Sequence, residues 1–116
     1  MVEKITLDEL QQRLEANPEL VLVEALPEQY FRHSHIPGAI NINHDEVDER
    51  APELLPDRDA EIVVYCASGP CKNSGIASAR LAALGYTNVR DYHEGKAEWV
   101  EAGLPVVGEA RAVRAA

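Results

Sequence analysis

The stretch that decides the fold is IVVYCASGPCKNSGIASARLAAL, residues 62–84. Its first part, Ile62 to Cys66, is short, apolar and rich in β-branched and aromatic residues, which is typical of a buried strand. A polar loop follows, and from Ser74 to Leu84 the apolar residues recur at the spacing of a helix that Gly85 ends. The stretch therefore predicts a strand, a short loop and a helix in direct succession.

Strands and helices alternate on both sides of this stretch as well. Further helices are predicted at 6–17, 27–34, 45–55 and 96–102. Further strands are predicted at 20–25, 39–43 and 88–92, with a last edge strand at 104–107. The alternation predicts an α/β three-layer sandwich, in which helices cover both faces of a central, mostly parallel five-stranded sheet. The length of 116 residues suits a single domain, residues 1–116, with a core at about 5–108 and a flexible tail at 109–116.

Charge and hydropathy exclude several classes of partner. Lys and Arg total 11 and Asp and Glu total 20, which gives a formal charge of −9. A negative surface repels phosphate backbones and anionic lipid, so neither nucleic acid nor a membrane is predicted as a partner. No apolar run approaches the ~20 residues of a membrane span, and residues 1–14 lack the apolar region of a signal peptide. We therefore predict a soluble, cytoplasmic protein, whose oligomeric state the sequence does not indicate.

The two cysteines, Cys66 and Cys71, are too few for a disulfide-rich secreted scaffold. Their spacing also makes a poor zinc site, because structural zinc takes four nitrogen or sulfur ligands and no second Cys/His pair stands at a matching spacing. We therefore predict no metal and start from two reactive thiols in a reducing compartment.

Cys66 stands at the carboxyl end of the clearest predicted strand, the edge at which open parallel sheets bind ligands. Backbone N–H groups of the following loop and helix N-terminus converge there and favour an anion. A thiol in this place should have a lowered pKa, Lys72 adds a positive charge nearby, and Gly69 lets the loop turn. The arrangement suits nucleophilic attack on sulfur or phosphorus with a covalent intermediate on Cys66.

The loop after Cys66 is the predicted site for a small anion. Its residues are Ala67, Ser68, Gly69, Pro70, Cys71, Lys72, Asn73 and Ser74. Cys71 is also a candidate resolving thiol, which could form a disulfide with Cys66 or accept its sulfur. Plainer interpretations stay open: Cys66 as a small buried hydrophobic residue, Cys71 as an ordinary loop thiol, and Lys72 as a solvated charge.

Four blocks of the sequence together resemble the rhodanese family, in the order in which that family carries them. They are LVLVEALPEQYFRHSHIPGAINI (20–42), IVVYC (62–66), SGIASARLAALGYTNV (74–89) and HEGKAEWVEAGLPV (93–106). The resemblance implies a parallel sheet flanked by helices and places the family's catalytic cysteine at Cys66. It implies transfer of sulfane sulfur from a donor such as thiosulfate to a thiophilic acceptor, cyanide or a thiol, including a protein thiol. The intermediate would be a persulfide on Cys66 held by loop N–H groups, with no metal or organic cofactor.

The sequence departs from the family pattern in three places. The active loop is long, with the matching Ser74 eight residues after the cysteine instead of six. The usual Asp-x-Arg after the first strand is Glu24-Ala25-Leu26, so the acid is kept in kind and the Arg is lost. The Gly-Gly before the tryptophan helix is Glu94-Gly95. These differences leave the nucleophile in place and the substrate open.

Three other functions stay open from the sequence. A Cys66/Cys71 redox sensor or reductase-like thiol relay would form a disulfide under mild oxidation. A Cys-dependent phosphatase would share the nucleophile, but Lys72 is only a point charge where such enzymes use the planar, bidentate guanidinium of Arg. A non-catalytic docking module would not need the retained Cys66.

Overall fold

Five strands and five helices alternate along residues 2–109, the part of the chain that this computed structural model describes. The strands are β1 (Glu3–Lys4), β2 (Val21–Glu24), β3 (Ile40–Asn41), β4 (Ile62–Tyr65) and β5 (Val89–Tyr92). The helices are α1 (Leu7–Ala16), α2 (Glu28–His33), α3 (Val47–Leu54), α4 (Asn73–Ala83) and α5 (Gly95–Glu101). Most of the predicted tail, residues 110–116, lies outside the described residues.

The strands form one sheet in the order β1-β5-β4-β2-β3, and every neighbouring pair is parallel. Strand β4 lies at the centre and all four of its residues are buried, as its apolar, β-branched sequence predicts. The register places Glu24 beside Tyr65 and Tyr65 beside Tyr92. The carboxyl ends of β2, β4 and β5 therefore meet at one edge of the sheet, and Cys66 follows directly from the middle strand.

Helices cover both faces of the sheet, which confirms the predicted α/β sandwich. Alternate residues of β4 point to opposite faces. On one face Val64 packs with Ala51 of α3 and with Leu81 of α4. On the other face Val63 packs with Leu10 of α1 and Trp99 of α5. Burying each large apolar side chain contributes about 1.5–3 kcal/mol, so these two clusters hold the three layers together.

The fifth strand is not the one that the sequence predicts. Residues 104–107 lie outside the sheet, where Val107 exchanges two antiparallel backbone hydrogen bonds with His35, at 2.8 and 3.0 Å. Pro105 lacks the N–H group that a ladder needs, and its carbonyl instead accepts the indole N–H of Trp99 at 2.7 Å. The sheet's fifth strand is β1, two exposed residues that pair with β5 and carry no apolar pattern.

The helix boundaries follow local signals in the sequence. At the start of α1, the Thr6 hydroxyl accepts the Glu9 backbone N–H at 3.2 Å and the Glu9 carboxylate accepts the Thr6 N–H at 2.9 Å, so the predicted capping box is present. Helix α4 begins at Asn73, one residue before the prediction. Pro52 lies within α3 and does not end it. In the described range no helix is both long enough and apolar enough to cross a membrane.

Candidate active site

Cys66 lies directly after β4 at the carboxyl edge of the sheet, and its side chain has no exposed surface. The loop turns back over it, because the Cys71 N–H donates to the Ser68 carbonyl at 3.0 Å. This turn brings the Cys71 carbonyl to 3.6 Å from Cys66 Sγ, and the buried Ser74 Oγ lies 3.5 Å from the same sulfur. The thiol is therefore enclosed by its own loop and by the first turn of α4.

The first turn of α5 holds the start of this loop. The backbone N–H groups of Lys96 and Ala97 donate to the carbonyls of Cys66 and Ala67 at 2.9 and 2.8 Å. Gly95 makes this approach possible, since its φ is +73° and a Cβ there would lie 2.6 Å from the Cys66 carbonyl oxygen. The Gly of the closing sequence block thus has a direct structural role beside the candidate nucleophile.

A buried ion pair joins the end of β2 to the first turn of α5. The Lys96 ammonium donates to both Glu24 carboxylate oxygens, at 3.1 and 3.2 Å, and to the Ser34 carbonyl at 2.6 Å. The Tyr65 hydroxyl donates to Glu24 at 2.8 Å and accepts the Ile36 N–H at 3.1 Å. Four segments of the chain are therefore tied together next to Cys66.

Lys96 is the cation that pairs with Glu24, and Leu26 carries no charge. Burial raises the pKa of Glu24, and the charge of Lys96 and the hydrogen bonds from Tyr65 and Lys96 lower it in part. Burial and the neighbouring Glu24 carboxylate raise the pKa of Tyr65, so its phenol keeps the proton that it donates. The cation beside Glu24 comes from α5, a position that the sequence pattern did not indicate.

The two thiols differ in the direction of their pKa shifts. Burial raises the pKa of Cys66, the hydrogen bond to Cys71 raises it further, and contacts with Ser74 lower it only in part. For Cys71, burial works toward a higher pKa, but hydrogen bonds from the Cys66 thiol and from the N–H groups of Asn73 and Ala67 outweigh it and lower the pKa. The predicted lowering at Cys66 is therefore wrong for this arrangement, because burial and the hydrogen bond to Cys71 outweigh the contacts with Ser74.

The predicted loop residues take different places around the two sulfurs. Ser74 is buried against Cys66, and Ala67 and Asn73 offer N–H groups to Cys71. Lys72 and Pro70 are exposed at the protein surface. The loop of residues 67–74 thus forms a cradle around the two sulfurs. Cys66 is buried in the cradle, Cys71 is half-buried within it, and Lys72 is exposed at its surface.

A comparison with known protein families bears on the chain as a whole. The model of the rhodanese-like domain family matches residues 6–102, nearly the whole chain. The chain belongs to the rhodanese family.

Individual relatives of this rhodanese-like chain differ in length and in name. It is 42% identical over 102 residues to the HTH-type transcriptional regulator Rv0324 of Mycobacterium tuberculosis, covering 88% of this chain and 43% of the regulator. It is 33% identical over 107 residues to a sulfurtransferase of Allochromatium vinosum, covering 92% of this chain and 96% of that protein. The structure of a rhodanese-related protein from Thermoplasma volcanium superposes with a TM-score of 0.76 at 28% identity, covering 92% of this chain and 99% of the other.

Two carboxylates near the loop were not predicted as part of the rhodanese site. Asp91 of β5 is 6% exposed, and its Oδ1 has no hydrogen-bond partner among the described residues. Glu94 precedes α5, and its Oε1 lies 3.2 Å from the position of a Cβ at Gly69. Only the departure from Gly-Gly signalled Glu94, and no local pattern signalled Asp91. Within the same described range, no group of three or more His, Cys, Asp or Glu residues could hold a metal ion.

Proposed function

We propose that this chain is a sulfurtransferase that carries sulfane sulfur as a persulfide on Cys66, between a donor such as thiosulfate and a thiophilic acceptor such as cyanide or a thiol. The observation that carries the proposal is the position of Cys66, directly after β4 and enclosed by a loop whose backbone groups hydrogen-bond to the sulfurs of Cys66 and Cys71. The relative from Allochromatium vinosum, which matches this chain over almost its full length and is named a sulfurtransferase, supports it.

The proposed reaction has two displacements at sulfur. In the first, the Cys66 thiolate attacks the outer sulfur of thiosulfate, the S–S bond of the donor breaks, and sulfite leaves with the bonding electrons. In the second, an acceptor thiolate or cyanide attacks the outer sulfur of the persulfide, and Cys66 leaves as a thiolate. No net oxidation occurs, so neither a redox cofactor nor a metal enters the balance.

The cradle suits the charge that these steps place on the outer sulfur. Hydrogen bonds from the backbones of Ala67 and Asn73 lower the pKa of Cys71, so they favour negative charge on a sulfur held in this loop. A persulfide on Cys66 extends the side chain by one sulfur atom, and we expect these N–H groups to stabilise its negative end. Ser74 stabilises the Cys66 thiolate and partly offsets its burial.

Mass spectrometry of the intact, reduced protein tests the proposal directly. After thiosulfate we expect a gain of one sulfur atom, which a thiol acceptor then removes. Cys66→Ala should gain no sulfur and keep its urea-unfolding transition, whereas the matched variant Cys71→Ser should still gain sulfur. Equal loading of wild type and Cys66→Ala, or no loading of either, would contradict a persulfide on Cys66.

A second candidate function is a thiol relay or redox sensor, and the turn that folds Cys71 over Cys66 favours it. The Cys71 thiolate would attack Cys66 Sγ of the persulfide, form the Cys66–Cys71 disulfide and release hydrosulfide. Wild type would then lose two hydrogens relative to the reduced protein, and Cys71→Ser would stop at the persulfide. If wild type also stops at the persulfide, Cys71 is no resolving thiol.

The remaining assignments stay predictions from the sequence. They concern one domain over residues 1–116, a cytoplasmic location, and partners limited to a small anionic donor and a thiol or protein acceptor. The chain spans 43% of the Mycobacterium tuberculosis regulator, so a similar domain also occurs as part of a longer protein that is named a transcriptional regulator. We do not extend the proposal to phosphoryl transfer, since the cation of the loop is the exposed Lys72.

A further inference from the structure

Glu94 places a carboxylate against the tip of the active loop. Its Oε1 and Cδ lie 3.2 and 3.8 Å from the position that a Cβ would take on Gly69. The residue is exposed and directly precedes Gly95, whose backbone is packed against Cys66 and Ala67. Because α5 is fixed to the loop by two backbone hydrogen bonds, Glu94 is kept close to the loop, with its carboxylate beside Gly69.

Asp91 places a second carboxylate at the other end of the loop. Its Oδ2 lies 3.7 Å from the Cβ position of Gly75 in the first turn of α4. The residue is more than nine-tenths buried, and Oδ1 has no partner among the described residues. Its charge acts on Cys71, whose pKa it raises against the stronger lowering by hydrogen bonds. The loop therefore has an acidic side chain at each end, Glu94 at Gly69 and Asp91 at Gly75.

The positive groups near the cradle are weaker or occupied. The Lys96 ammonium is held by Glu24 and by the Ser34 carbonyl. Lys72 is exposed to solvent, as Glu94 is, so water and salt screen the two opposite charges alike, but only Glu94 has its charged group placed against the loop, at Gly69. His93 Nδ1 lies 4.0 Å from Asp91 Oδ2 and opposes that charge only when the imidazole is protonated.

Charge at the cradle bears on the choice of donor, because the Coulomb energy between a fixed charge and a ligand is proportional to the charge of the ligand. A carboxylate thus opposes the thiosulfate dianion twice as strongly as a monoanion in the same place. We propose that Glu94 and Asp91 are specificity residues that favour a monoanionic sulfane-sulfur donor, such as the persulfide of a small thiol or a thiosulfonate, over thiosulfate. This inference rests on the proposed sulfur transfer through Cys66.

The reaction with a monoanionic donor balances in the same way as with thiosulfate. The Cys66 thiolate attacks the terminal sulfur of a persulfide, the donor's S–S bond breaks, and the small thiolate leaves with the electron pair. With methanethiosulfonate, which is thiosulfate with one oxygen replaced by a methyl group, the leaving group is methanesulfinate. Thiosulfate and methanethiosulfonate therefore form a pair of probes of similar shape that differ by one charge.

The test compares Glu94→Gln with wild type for both probes, by measuring kcat/KM for sulfur loading at low ionic strength. We expect Glu94→Gln to raise kcat/KM about tenfold for thiosulfate and about threefold for methanethiosulfonate, since the logarithm of the change follows the ligand charge. The matched control is Glu19→Gln, the same change of charge at an exposed residue just before β2, at the opposite edge of the sheet. It should change neither value by more than about 1.5-fold.

Each outcome of this experiment decides something different. A gain for thiosulfate that exceeds the gain for methanethiosulfonate, and that shrinks as salt is added, supports the inference. Equal gains for the two donors, or no gain with either, overturn it while the sulfur transfer itself stands. If neither probe loads sulfur onto any variant, the proposed function is wrong and the inference is wrong with it.

Discussion

Replacing Lys96 with methionine removes the cation beside Glu24 and keeps most of the apolar stem of the side chain. The Glu24 side chain has no exposed surface and that of Lys96 is 13% exposed, so little water reaches this pair. Removing one partner of a buried ion pair costs about 3–5 kcal/mol, because the other charge stays buried and unpaired. Tyr65 still donates to Glu24 in the variant, so we expect a loss near the lower end, about 3 kcal/mol at pH 7.5.

The dependence of this loss on pH follows from the raised pKa of Glu24. A carboxyl whose pKa is higher in the folded state contributes stability that is fully present below its unfolded value, here 4.5, and lost as pH rises through the folded value. Without Lys96 the pKa of Glu24 in the folded state rises further. The variant therefore continues to lose stability with rising pH at values where the stability of the wild type no longer changes. The difference in unfolding free energy between variant and wild type is therefore smallest near pH 4 and grows as the pH rises.

Urea unfolding followed by far-UV circular dichroism, at pH 4 and at pH 7.5, measures this difference. A loss of about 3 kcal/mol should lower the midpoint by about 1.5 M urea, for a slope of about 2 kcal/mol per molar. Lys4→Met, at an exposed lysine of β1, is the matched control and should be neutral. Glu24→Gln combined with Lys96→Met should recover part of the loss. An equal deficit at both pH values would refute the reasoning, because an unpaired Glu24 charge would then not be its cause.

Two further changes test other parts of the structure. Gly95→Ala should lower the unfolding free energy by more than the ~1–2 kcal/mol of a left-handed alanine and reduce sulfur loading at least about tenfold, since its Cβ would lie 2.6 Å from the Cys66 carbonyl. The control is Gly103→Ala, where φ is +82° and the added Cβ would meet no neighbouring atom within 4 Å, so it should show only the cost of the left-handed backbone in the same urea and mass assays. Equal losses of stability and of sulfur loading in the two variants would contradict the role of the Gly95 contact. The hydrogen bond from Arg13 lowers the pKa of Glu61 to about 2, so this carboxylate contributes stability above pH 4.5 that is lost as pH falls toward 2. Thermal melts of Arg13→Gln between pH 2 and pH 7 should show a smaller acid loss than wild type, and an unchanged loss would show that Arg13 does not hold this pKa.

The local pattern of apolar residues was sufficient to predict a strand where the segment itself is apolar and fully buried. Residues 62–65 are β-branched or aromatic and were predicted as a strand, which lies at the centre of the sheet with every residue buried. The pattern failed at the sheet's edge, where Glu3 and Lys4 pair with β5 through backbone groups that any sequence carries. The pattern also failed at 104–107, because an apolar run does not reveal whether its backbone pairs with a strand of the sheet or with another segment, here His35.

The sequence by itself determined the alternating elements, the parallel sheet, and the position of Cys66 where the central strand enters a loop rich in N–H groups. These features depend on residues close together in the chain, so spacing and composition are enough to predict them. Only the tertiary structure decided that Lys96 pairs with Glu24, 72 residues away, and that Glu94 and Asp91 border the loop. The tertiary structure also decided that the pKa of Cys66 is raised, because burial and the contact with Cys71 outweigh the lowering by Ser74. These charged groups come into contact because of the register of the strands and the position of α5. Both depend on packing between segments that are distant in the chain.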